Sequence, residues 1–198
     1  MIHIIRKGST TAPTFVLLHG TGGDERNLLP IVPQLNEQAT VISLRGDVNE
    51  NGALRFFKRT AEGVYDLDDL ATRGENMHQF LLILLEEHSI DPQNVVFVGF
   101  SNGANMAIHL LLKAGTPFNK GILFAPMYPV EVPPRSLEQT HVFLSMGKND
   151  PIVSLAHSQQ VIDLFSQNGA SVTTHWVNSH EITLPALKAA HNFLTQLN

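Results

Sequence analysis

The sequence predicts an α/β fold, with a mostly parallel central sheet and helices on both of its faces. Three observations point there. Short aliphatic and β-branched runs alternate with longer helical patterns, the βαβα order of that class. Most of these runs are too continuously apolar to leave either side in water, as strands covered on both faces must be. Length and composition agree, since 198 residues suit one domain spanning 1–198, and 43% hydrophobic against 16% charged residues can bury a sizeable core.

Taken in order, Ile2 to Ile5 reads as an edge strand, and Phe15 to Leu18 and Thr40 to Leu44 as interior strands. Gly46 to Tyr65 follows a strand exit and is expected to be a long loop lying over the pocket mouth. In Leu67 to His88 the apolar residues Leu67, Leu70, Ala71, Met77, Leu81, Leu84 and Leu85 recur at three and four. Asp68, Asp69, Glu75 and Glu86 take the other side, and Asp66 is placed to cap the start. Val95 to Phe100 is a strand, and Ala104 to Ala114 is apolar on most sides, as a helix between a sheet and its neighbours must be. Gly121 to Phe124, His141 to Ser145 and Val172 to Val177 complete the strands. Val153 to Asn168, stopped by Asn-Gly, and Leu184 to Leu197 complete the helices.

Composition narrows the function. Without cysteine there is no disulfide framework, no thiolate metal site and no cysteine nucleophile. A net charge of −5, with no basic run longer than a pair, argues against nucleic acid or an anionic membrane as the main partner. The basic residues near the start follow a very short apolar run instead of preceding a long one, so no signal peptide is visible. The longest apolar run, Phe80 to Leu85, is too short to cross a bilayer, and a soluble cytoplasmic protein is expected.

In sheets of this kind ligands bind beyond the carboxyl ends of the strands, so the residues at each exit matter most. Gly99-Phe100-Ser101-Asn102-Gly103 matches G-x-S-x-G, the tight strand-to-helix turn that lifts a serine hydroxyl above a sheet. A strand pattern precedes it and a helix pattern follows, which makes Ser101 the candidate nucleophile. The alternative is a glycine turn holding an incidental serine. A serine hydroxyl needs a base, and the base an orienting carboxylate, in the chain order serine, acid, histidine. Asp150, after Gly147-Lys148-Asn149, and His180, after Asn178-Ser179, reach the same edge. Glu131 and Glu138, in a Pro-rich segment, compete as the acid. The other nine histidines fall in helices, in strands or, like His19, before the serine, where His19 would brace the turn that follows it. No H-E-x-x-H or H-x-H is present, and the chemistry needs neither metal nor cofactor.

Acyl transfer also needs two N–H groups aimed at the carbonyl oxygen as it becomes negative. Asn102, at the start of a helix, offers one, and Thr21 in His19-Gly20-Thr21-Gly22-Gly23 offers the other. The rival reading of that loop is a phosphate cradle, but G-x-G-x-x-G and G-K-[ST] are both missing.

The set LLHGTGGDERNLLP, SLRGDVNENGALRFFKR, GFSNGANMA, GKNDPIV and SH, in one order along essentially the whole chain, resembles the small α/β-hydrolases of the carboxylesterase/phospholipase family, relatives of the acyl-protein thioesterases. The resemblance implies an α/β-hydrolase fold, with Ser101 as nucleophile, Asp150 as acid, His180 as base and Thr21 and Asn102 as oxyanion donors. One position departs from the pattern, with Ser179 standing where glycine usually precedes the base. The strands and helices use nearly all of the chain, so no cap domain is expected.

Substrate walls are sought near the same exits. Phe56 and Phe57, flanked by Arg55, Lys58 and Arg59, either form an aromatic wall edged with positive charge or anchor a long loop onto the core. Met127, Tyr128, Ile152 and Val153 also follow exits and are candidate pocket residues. Met127 to Pro134 reads as an ordered loop or as one edge of a homodimer interface. The substrate expected is a small-molecule carboxylic ester, with thioesters and lysolipids as related classes. A hydrolase-like module that binds a small molecule without catalysis is the alternative.

Overall fold

The computed structural model describes residues 1–197. Its centre is a seven-stranded sheet assembled from β1 (His3–Arg6), β2 (Thr14–Leu18), β3 (Thr40–Leu44), β8 (Val95–Phe100), β9 (Lys120–Phe124), β10 (His141–Gly147) and β11 (Ser171–Val177). The spatial order is β1-β3-β2-β8-β9-β10-β11, and only β1 runs antiparallel to its neighbour. Side chains alternate across each strand, so one strand feeds two cores. Val16 and Leu18 face the layer of α2 (Leu67–Glu87), α3 (Asn102–Leu111) and α4 (Leu155–Ser166), whereas Phe15 and Leu17 face α1 (Val32–Asn36) and α5 (Leu184–Gln196).

The central strands are buried along nearly their whole length, as their continuous apolar sequence requires. β11 lies at the edge with only β10 beside it, and Ser171 and Thr174 meet solvent. The α2 cap forms as expected, with Asp69 N–H donating to Asp66 Oδ1 at 3.1 Å. Its buried stripe is shifted, however, since Leu67 and Ala71 are exposed while Gly74 and His78 face inward with Leu70, Met77 and Leu81.

The segment after β3 is more ordered than a loop. Val48–Glu50 (β4) and Ala53–Arg55 (β5) form one hairpin, and Arg59–Ala61 (β6) and Val64–Tyr65 (β7) a second. The first turns at Asn51-Gly52, both at positive φ as a tight two-residue hairpin demands. Among the described residues no insertion forms a separate cap, and no helix is long and apolar enough to cross a membrane.

Candidate active site

The candidate residues gather at the carboxyl edge of the sheet. β8 passes directly into α3 through Ser101, held at φ 51°, ψ −117°. A serine in that region is strained, and it persists because the neighbours over-determine it. Ser101 N–H donates to Phe124 O of β9 at 2.9 Å, and Ser101 O accepts from Asn105 N–H at 3.0 Å. Gly103 is required by space, since a Cβ there would run into the carbonyl of Leu18 at the end of β2. The turn after β8 and the turn after β2 are thus pressed backbone to backbone.

The structure brings Asp150 and His180 together. His180 Nδ1–H donates to Asp150 Oδ2 at 2.8 Å, with side-chain exposures of 12% and 0%. An ionised carboxylate only accepts, so the bond leaves Nε2 of a neutral imidazole as its free acceptor. Asp150 Oδ1 also accepts from Ile152 N–H and Val153 N–H, at 2.8 and 2.9 Å, which fixes the carboxylate before His180 meets it. Past the ends of β10 and β11 the two exits are zipped together. Asn149 N–H donates to Asn178 O at 2.7 Å, and Asn149 Nδ2 to Asn178 Oδ1 at 2.9 Å. Gly147 lets them close, because a Cβ would stand 2.5 Å from Ser179 O and 2.9 Å from Asp150 Cβ. His180 approaches the serine turn through Phe100, ring centroids 5.1 Å apart, and among the described residues Ser101 Oγ makes no hydrogen bond. Contacts of this kind often tighten only around a bound substrate.

Glu131 and Glu138 lie elsewhere. Glu131 lines a cavity with His109 and Lys113, and Glu138 packs on Gly169, ahead of β11 at the opposite edge of the sheet.

The two candidate N–H donors are distinguished by what their neighbours do. Gly22 N–H donates to Leu54 O at 2.9 Å and Gly23 N–H to Gly20 O at 3.0 Å, while Thr21 N–H and Asn102 N–H have no partner among the described residues. His19 lies beneath this loop, accepting from Gly46 N–H at Nε2 (3.0 Å) and donating from Nδ1 to Gly20 O (2.7 Å). Burial holds its pKa below the ordinary histidine value, so it stays neutral, as a brace with one donor and one acceptor must.

Of the candidate pocket residues, Phe56 and Phe57 are interior. Phe56 packs on His19 with centroids 4.6 Å apart, and Phe57 is fully buried edge-on to Tyr65 at 4.7 Å. Their burial favours the second of the two readings the sequence left open, an anchor for the segment. The flanking cations are engaged as well, Arg55 and Arg59 with Glu50 and Lys58 with Asp69. Met127, Tyr128 and Val153 are buried, and Ile152, half exposed, has free surface. Tyr65 O–H donates to Met127 O at 2.6 Å, Met127 N–H to Asn105 Oδ1 at 2.8 Å, and Tyr128 O–H lies 2.9 Å from His109 Nδ1. Burial pushes the Tyr128 phenol up to about 12.

One brace is invisible in the sequence. Glu25, buried at the far end of the loop after β2, is gripped by Arg45 at the exit of β3, with Nη2 donating to Oε1 at 2.7 Å and Nε to Oε2. The guanidinium holds the Glu25 carboxyl down to about 2. The two residues are 20 apart, and no local pattern joins them.

A parallel sheet with a strained serine turn, a buried carboxylate–imidazole pair and a glycine-rich loop at one edge defines an α/β-hydrolase. Residues 1–198 match the family described as Phospholipase/Carboxylesterase. The chain is 37% identical over 187 residues to MhqD of Bacillus subtilis (strain 168), named as a hydrolase, with 92% of each chain covered. It superposes on the Bacillus cereus carboxylesterase with a TM-score of 0.95 at 38% identity, covering 99% of this chain and 94% of that one. YahD, solved with malic acid, gives 0.94 at 28% identity, with 100% and 99% covered. The chain belongs to the phospholipase/carboxylesterase family and is a hydrolase of esterase type.

Proposed function

We propose that this hydrolase cleaves carboxylic esters of small or short-chain substrates through an acyl-enzyme on Ser101. His180 Nε2 takes the Ser101 proton as Oγ bonds to the carbonyl carbon, and the C=O electron pair moves to oxygen. Thr21 N–H and Asn102 N–H receive that negative charge. As the intermediate collapses, the C–O bond to the leaving alcohol breaks, and His180 gives the alcohol the proton. Water, deprotonated by His180, then repeats the addition and releases the acid. Asp150 holds the imidazole in the tautomer both halves need.

The observation that carries this reading is the Asp150–His180 hydrogen bond, made by a carboxylate already fixed by two N–H groups, at the same sheet edge as the strained Ser101. Two unengaged N–H groups at the positions the reaction needs support it further. Among the described residues no cap covers this edge of the sheet, which suits an open site.

The test is hydrolysis of p-nitrophenyl esters from acetyl to long chain, with an acyl thioester and a lysophospholipid beside them. Ser101→Ala and His180→Ala should abolish turnover, and acetyl to butyryl esters should give the highest kcat/KM. Wild-type turnover by Ser101→Ala overturns the mechanism. A preference for the thioester or the lysolipid keeps the triad and replaces the substrate class. A protein inert to every ester that still binds small aromatics is a binding module.

A further inference from the structure

We propose that Arg55 is a positioning residue for the oxyanion hole, holding Thr21 so that its N–H stays aligned with that of Asn102. This rests on the esterase reading above. Three successive residues at the end of β5 each make one hydrogen bond to that machinery. Leu54 O accepts from Gly22 N–H at 2.9 Å, Arg55 Nη1 donates to Thr21 Oγ1 at 2.6 Å, and Phe56 N–H donates to Asn102 Oδ1 at 2.7 Å. The first two hold the loop after β2, and the third holds the residue after the nucleophile. Those two halves belong to different elements, and the strand end that binds both sets their relative position.

Thr21 needs such a hold. It is exposed, between two glycines, and its one side-chain hydrogen bond among the described residues is to Arg55. Arg55 is suited to give it. The residue is 5% exposed, its Nε donates to Phe57 O at 3.3 Å, Glu50 Oε2 lies 3.4 Å from Nε, and its guanidinium carbon stands 5.9 Å from the Phe57 ring centroid. A planar cation fixed on one side by a carbonyl, a carboxylate and an aromatic ring can present its remaining N–H groups in one direction only. Asn102 shows that the arrangement is specific, because Oδ1 is committed to Phe56 while its buried Nδ2 finds no partner. Among the described residues the strand end supplies the one hydrogen bond that orients this side chain.

Misplacing an oxyanion donor lowers the rate of the chemical step and hardly touches ground-state binding. A purely structural Arg55 would change the unfolding midpoint and leave kcat alone. The experiment uses the full chain with p-nitrophenyl acetate and compares Thr21→Val, Thr21→Ser, Arg55→Met, Arg55→Lys and the Thr21→Val/Arg55→Met pair, with Ser101→Ala alongside. Thr21→Val keeps the shape and removes the acceptor, on an exposed loop where folding is not at stake. Thr21→Val and Arg55→Met should each lower kcat roughly tenfold to a hundredfold with KM within about twofold. Thr21→Ser should restore most of kcat, Arg55→Lys should fall between, and the double variant should be no slower than the slower single one. A Thr21→Val enzyme with undiminished kcat, or losses that multiply in the double variant, overturns the role of Arg55. If Ser101→Ala is inactive in the same assay, the esterase reading stands apart from that failure. If the parent is inert, or Ser101→Ala is as active as the parent, both fall.

Discussion

Gly103 lies so close to Leu18 that a Cβ would overlap the Leu18 carbonyl and stand 2.5 Å from His19 O. Both obstacles are backbone, so no rotamer change relieves them. Gly103→Ala must therefore push α3 from β2 or distort the loop after β2, costing about 3 kcal/mol in a packed interior. Because that loop carries Thr21, kcat should fall with stability. Urea unfolding and ester turnover on one preparation check both, and a variant as stable and active as the parent would show that the contact is not tight.

Asp150 separates orientation from folding. Replacing it with Asn leaves one oxygen for the Ile152 and Val153 N–H groups and turns an amide N–H₂ toward His180 Nδ1. The imidazole must then carry its proton on Nε2, where it cannot accept from Ser101. Turnover should fall about 10³- to 10⁴-fold with the fold intact. Asp150→Ala should lose activity too, and also about 1 kcal/mol of stability, because the part-buried Val153 N–H and the exposed Ile152 N–H lose their acceptor. Turnover and denaturant midpoints for the two variants test the difference.

The Glu25–Arg45 pair predicts an acid-sensitive term in stability. The folded pKa of Glu25, about 2, is below the ordinary value of 4.5, so the folded state binds the proton more weakly than the unfolded chain. The stabilisation is complete above about 4.5 and is lost as pH falls from there through about 2. In Glu25→Gln the unfolding midpoint should be lower at neutral pH and should fall less steeply below pH 4.5. Parallel melting curves for parent and variant across that range would refute the pairing. His19 adds a term of the same sign, because burial holds its folded pKa below the ordinary 6.5 and the unfolded chain takes up the proton more readily, so its contribution is complete above about 6.5 and declines as pH falls below it.

The parallel strands were legible because burial on both faces writes itself as continuous apolar sequence, and the exits then located Ser101, Asp150 and His180. That β11 lies at the edge, with Ser171 and Thr174 in solvent, is a property of the assembled sheet that no local pattern states. The β4–β5 hairpin had a local signal in Asn51-Gly52, but its three-residue flanks were too short to alternate. Glu25 with Arg45 and Thr21 with Arg55 are 20 and 34 residues apart, so no spacing could announce them. They became visible only when the chain brought two strand exits and a hairpin to one place.

Phe57 tests whether the double phenylalanine is wall or anchor. Its ring is fully buried, edge-on to Tyr65, and Tyr65 in turn donates to Met127 O beside the serine turn. Truncation leaves a cavity beneath both hairpins, and Phe57→Ala should cost about 3–5 kcal/mol. Phe57→Leu, which refills most of the space, should cost much less. A wall residue would behave otherwise, because its loss would raise KM for aromatic esters and leave unfolding nearly unchanged. Urea midpoints for both variants, with KM for p-nitrophenyl acetate measured well below the midpoint, separate the two. An unshifted midpoint with a raised KM would return Phe57 to the pocket.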